Sequence, residues 1–133
     1  MDARTTLLEQ IREREAEFLA LVSEITQLPS ENPPGDTRAV ADHLVGWLRK
    51  RGFAPDVVSA QPDLPNLVVA VEGTGPGRHV ILNGHMDTFP VGERARWTMD
   101  PWSGLVADGK IHGRGVSDMK GGLAASVAAF TLL

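Results

Sequence analysis

Residues 79–87 read HVILNGHMD, an apolar run of Val80, Ile81 and Leu82 that gives way at once to polar side chains. A short apolar run with such an end reads as a buried strand reaching its carboxyl edge. Strand side chains alternate between faces, so His85 and Asp87, two apart, leave on the same side. A second run, NLVVAVEG over 66–73, is of the same kind, and helical patterns precede and follow the pair. The expected fold class is therefore α/β, a mixed, mostly parallel sheet flanked by helices. In such sheets ligands bind at the carboxyl ends of the strands.

Within residues 4–27, Leu7, Leu8, Ile11, Phe18, Leu21, Val22 and Ile25 recur at helical spacing between Glu and Arg, which predicts an amphipathic helix with one face on a core. The loop LPSENPPGD, 28–36, follows, and Asp36 or Thr37 is placed to cap the next helix. In that helix Val40, Leu44, Trp47 and Leu48 form the buried stripe. Arg49, Lys50 and Arg51 close it ahead of Gly52, as the helix dipole and a glycine cap favour, and are expected to be solvated. GTGPG at 73–77 is expected to be a turn between strands, because a dinucleotide loop opens a helix and here His79 opens a strand.

Beyond His85 runs a long segment rich in Pro, Gly and charge, with Trp97, Pro101 and Trp102. Loops of that length in compact domains are often functional. The two tryptophans either line a substrate pocket or pin the loop to the body. Asp108-Gly109 then predicts a hairpin turn between GLVADG and KIHGRG. Asp118 stands just before the alanine-rich helical stretch that reaches Leu133.

A His and two Asp at strand ends are nitrogen and oxygen donors of the kind that hold divalent cations. The sequence has no cysteine, which removes disulfides and thiolate metal sites. A formal charge of −4 offers no basic footprint for nucleic acid, and no apolar run is long enough to span a membrane. No signal-peptide pattern is seen, so a cytoplasmic setting is the expectation.

GHMDTFP, the spaced Trp97 and Pro101, and GRGVSDMKGG together resemble the dinuclear zinc peptidase and deacylase family. Its members include acetylornithine deacetylase, succinyl-diaminopimelate desuccinylase, aminoacylase and the glutamate carboxypeptidases. SENPPGD also looks like that family's loop, so the resemblance extends over nearly the whole chain. It implies His85 as a zinc ligand, Asp87 as the catalytic carboxylate that orients it, and Asp118 as the carboxylate bridging two Zn2+, with Co2+ as a substitute. A cis peptide between Asp118 and Met119 is implied as well. His112, His43 and His79 are expected to be structural or exposed, and Lys120 and Arg114 either tune the site or are solvated or locally hydrogen-bonded.

The resemblance further implies a zinc-dependent hydrolase of amide bonds in N-acyl amino acids or small peptides, of deacylase or desuccinylase type. A carboxypeptidase or dipeptidase is the alternative within the family, and a non-catalytic module acting through a partner is the alternative outside it. Residues 1–133 would be the amino-terminal part of the catalytic domain. Phe130, Leu132 and Leu133 follow no helix-stop signal, and the family's glutamate pair and dimerisation domain are not in this sequence. The expectation is thus a fragment inactive alone, from a protein that is a homodimer at full length.

Overall fold

The computed structural model describes residues 2–133. Four helices, α1 (Ala3–Glu13), α2 (Glu15–Thr26), α3 (Arg38–Arg49) and α4 (Gly121–Phe130), accompany four short strands, β1 (Asp56–Val58), β2 (Asn66–Val68), β3 (Leu105–Ala107) and β4 (Lys110–His112). The α/β class holds.

The first helical stretch is two helices, kinked at Arg14 where φ is −104° and ψ is 10°. Asp2 caps α1, its Oδ1 accepting from the Thr5 N–H at 2.9 Å. The expected stripe divides at the kink. Leu21 and Ile25 of α2 are buried, whereas Leu7, Leu8 and Ile11 of α1 stay exposed, because no other described element lies over that face. On α3 the stripe is as expected, and Val40, Leu44, Trp47 and Leu48 join Leu21, Ile25, Leu123 and Ala124 in one cluster. That cluster of α2, α3 and α4 is the core.

At the end of α3, Arg51 departs from the expected solvated role. Its guanidinium stacks 3.4 Å from the Trp47 ring centroid, and its Nε donates to Glu17 Oε1 at 2.7 Å. Arg14 NH2 donates to the same oxygen at 2.9 Å. The hydrogen bond from Arg14, then that from Arg51, holds the Glu17 carboxyl below its ordinary 4.5. Its folded-state pKa is depressed, so its contribution is present above about pH 4.5 and is lost as pH falls through the lower folded value. Glu17→Gln should flatten the acid limb of the stability curve by about 1 kcal/mol or less, since the group is a third exposed. Urea titrations at pH 3 to 6 measure this, and an unchanged acid limb would refute it.

The sheet differs from expectation. β1 pairs antiparallel with β2, and β3 antiparallel with β4; the parallel pairing seen is a single bridge, Glu31 to Thr88. Residues 79–85 lie in no strand, with Val80 71% and Ile81 80% exposed, so the expected buried strand does not form. A ladder needs a partner strand, and none of the described residues supplies one to 79–85. These residues alone do not assemble a mostly parallel sheet. The β3–β4 hairpin is as expected: Asp108 at φ 51° and Gly109 at φ 70° give the left-handed pair of a type I′ turn.

Candidate metal centre

The loop 30–36 is stapled along the segment that carries His85 and Asp87. Thr88 N donates to Ser30 O at 2.9 Å and Asn32 N to Thr88 O at 2.8 Å, while Ser30 Oγ donates to Met86 O at 2.8 Å. On the other side, residues 116–120 form an irregular turn ahead of α4, with non-helical backbone at Asp118 and Met119. The peptide between those two is cis, as the family resemblance implies. The Lys120 N–H donates to Gly115 O at 2.8 Å and closes the turn.

The turn and the segment that carries His85 and Asp87 meet at His85. Its Nε2 lies 3.1 Å from Asp118 Oδ1, and its Nδ1 lies 3.1 Å from Asp87 Oδ1 and 3.0 Å from Asp87 O. The three residues singled out in the sequence are therefore brought together. Burial alone would lower the imidazole pKa, but the Asp87 carbonyl and the Asp118 carboxylate outweigh it and leave it raised. The side chains remain open to solvent, Asp118 most of all at 71%.

Donors about 2.0–2.2 Å from one zinc ion stand about 3 Å apart. The 3.1 Å between His85 Nε2 and Asp118 Oδ1 fits that spacing. Asp87 lies on the other ring nitrogen, where it selects the tautomer with the proton on Nδ1 and the lone pair on Nε2. Among the described residues no group of three or more His, Cys, Asp or Glu side chains is arranged to hold a metal ion, so the pair is an incomplete coordination shell.

The other histidines stay apart. His43 Nε2 is 3.0 Å from Glu24 on a helix surface, His79 is exposed, and His112 lies in β4. Trp97 and Trp102 pin the long loop. Trp97 Nε1 donates to Val91 O at 2.9 Å with Arg114 5.0 Å from its ring, and Lys120 Nζ is 5.4 Å from the Trp102 ring. Lys120 is fully buried rather than solvated, its Nζ donating to Leu28 O at 2.6 Å. Sequence reasoning missed Asn32, whose Nδ2 donates to Asp87 Oδ2 at 2.9 Å. Its signal was the SENPPGD loop, whose side chains carry no pattern that points at a residue 55 positions away.

Fold and donor set define the class: an α/β chain presenting an imidazole and two carboxylates of the kind that hold divalent cations. Residues 81–133 match the peptidase family M20/M25/M40. Over 130 residues, 96% of this chain and 30% of the relative, the sequence is 38% identical to the N-formyl-4-amino-5-aminomethyl-2-methylpyrimidine deformylase of Halalkalibacterium halodurans. The Bacillus subtilis protein of the same name is 31% identical over 131 residues, 96% of this chain and 31% of its own. Succinyl-diaminopimelate desuccinylase of Methylobacterium radiotolerans is 39% identical over 115 residues, 84% of this chain and 28% of its own. The chain is similar to peptidase family M20/M25/M40, and it spans about 30% of the length of the curated relatives it matches.

Proposed function

We propose that residues 1–133 are the amino-terminal part of the catalytic domain of a zinc-dependent amide hydrolase, acting on N-acyl amino acids or related small acylated amines. The observation that carries this is the placement of His85 Nε2 against Asp118 Oδ1 at 3.1 Å, with Asp87 on the other ring nitrogen. Support for deacylation over peptide cleavage comes from the relatives, whose names are those of a deformylase and a desuccinylase. Each releases a small acyl group from an amine.

His85 and Asp118 would hold the metal, each offering one donor atom to it. A divalent cation bound there supplies polarisation of the scissile carbonyl and of a water molecule. Asp87, through its carbonyl and its carboxylate, favours the His85 proton on Nδ1, which leaves Nε2 of the neutral ring to offer its lone pair. Asp118, mostly exposed, is free to turn its second oxygen to another ligand.

The remaining ligands and the glutamate that takes the water's proton would come from sequence beyond these residues, as would a dimerisation domain. The chain alone is expected to be inactive. Among the described residues no helix is long and apolar enough to cross a membrane, which suits the cytoplasmic setting proposed for it.

The test uses the full-length protein with N-formyl, N-acetyl and N-succinyl amines. Hydrolysis should vanish on dialysis against a chelator and return with Zn2+ or Co2+. Turnover that survives removal of all metal would overturn the reading.

A further inference from the structure

The Asp87 carboxylate has two oxygens and two different partners. Oδ1 faces His85 Nδ1 at 3.1 Å, and Oδ2 accepts from Asn32 Nδ2 at 2.9 Å. An ionised carboxylate only accepts, so the Asn32 amide must present its NH2 to it, which fixes the orientation of the amide.

Asn32 is itself held from both sides. Its backbone N–H donates to Thr88 O at 2.8 Å, and the residue before it, Glu31, receives the Val91 N–H on Oε1 at 2.6 Å. Gly35, at φ 88°, passes close by: a Cβ built on it would lie 3.4 Å from Asn32 Oδ1. The backbone of Asn32 is thus fixed by this pairing, which keeps the exposed amide within reach of Asp87. Asn32, Asp87, His85 and Asp118 form one line of four polar side chains, with 2.9, 3.1 and 3.1 Å between successive members, and His85 Nδ1 also lies 3.0 Å from the Asp87 carbonyl oxygen.

We propose that Asn32 is a positioning residue for the metal centre: by tethering Asp87 Oδ2, it aims Oδ1 at His85 Nδ1 and so fixes the direction in which Nε2 offers its lone pair. A carboxylate without that tether rotates about its Cβ–Cγ bond and shares its time between His85 and solvent. Groups behind a metal-binding histidine that orient it are commonly worth about 10- to 100-fold in metal affinity. Asn32 stands one step further back, so about 10-fold is expected for its loss. The inference rests on the reading of His85 and Asp118 as metal ligands.

The experiment is a double-mutant cycle on the full-length protein, with Zn2+ affinity read by competition against a chromophoric chelator and the melting temperature of the metal-free form recorded for each variant. Asn32→Ala should weaken zinc about 10-fold and leave the metal-free melting temperature nearly unchanged. In an Asp87→Ala background the same change should have no further effect on affinity, because the group through which Asn32 acts is gone. Asn32→Asp keeps the shape but sets a carboxylate against a carboxylate. It should weaken zinc at least as much, and it serves as the reading if Asn32→Ala does not fold. Equal losses from Asn32→Ala in both backgrounds, or no loss in the first, would overturn the proposal while Asp87→Ala still weakened zinc. An Asp87→Ala protein that binds zinc as tightly as the wild type would overturn the metal reading itself, and this inference with it.

Discussion

Gly115→Ala should lower stability by about 2–5 kcal/mol and separate Asp118 from His85. Two costs combine. Gly115 sits at φ 79°, ψ 0°, where a side chain costs about 1 kcal/mol or more. A Cβ there would also lie 2.2 Å from Thr88 Cγ2, closer than any real contact, so the strand or the turn must shift. Thr88 is buried and is the residue immediately after Asp87, while Gly115 opens the turn that carries Asp118. The methyl group would thus drive apart the two segments whose approach brings His85 and Asp118 together. Thr88→Ser removes the methyl that is struck. Combined with Gly115→Ala it should recover the steric part and leave about 1–2 kcal/mol of backbone cost. Gly77→Ala, at a position with nothing within 4 Å and no positive φ, should change stability by about 0.5 kcal/mol or less. Denaturant titrations of the four variants measure each term. A Gly115→Ala protein as stable as the wild type would refute the packing described at this turn.

The parts of this arrangement that sequence reasoning reached are those set by local spacing. His85 and Asp87 lie side by side, as their spacing of two suggested, although residues 79–87 form no strand, and Asp108-Gly109 turns because both positions favour positive φ. The stripe of α3 was legible for the same reason: its period of 3.6 is written in Val40, Leu44, Trp47 and Leu48. What escaped depends on partners distant in sequence. Val80, Ile81 and Leu82 have the composition of a covered strand, yet composition does not say which residues do the covering, and none of those described here does. Arg51 reads as a solvated helix end until Glu17, 34 residues earlier, is placed beside it. That His85 meets Asp118 could be taken only from the family resemblance, since nothing in the spacing of 33 residues requires it. The Lys120 pattern is least legible of all. A lysine two residues after Asp118 reads as tuning the site, solvated or hydrogen-bonded locally, whereas here the buried ammonium donates to Leu28 O, 92 residues earlier.

Lys120→Ala should destabilise the protein by about 2–5 kcal/mol, and Lys120→Met by clearly less. The alanine variant empties a fully buried site and leaves the Leu28 carbonyl, at the end of α2, without the donor now 2.6 Å away. The cavity and the orphaned carbonyl add. Methionine fills most of the space and orphans the same carbonyl, but it also removes the cost of burying a charge, so its losses are partly offset. That cost has a signature in pH. Burial lowers the Lys120 pKa from 10.5 to about 8, so between those values the unfolded chain binds more protons than the folded one. Stability of metal-free wild type should therefore rise as pH goes from about 8 to about 10.5, by roughly 3 kcal/mol at most, and the Lys120→Met protein should lack that rise. Below about pH 8 both forms of the wild type are protonated and the difference between the two proteins is constant. Because this lysine ties the end of α2 to the turn that displays Asp118, the alanine variant should also loosen that turn. Faster amide exchange across residues 115–120 in Lys120→Ala than in Lys120→Met would mean that filling the site helps to hold the turn, and exchange raised equally above wild type in the two would mean that the hydrogen bond to Leu28, which both lack, holds it in place.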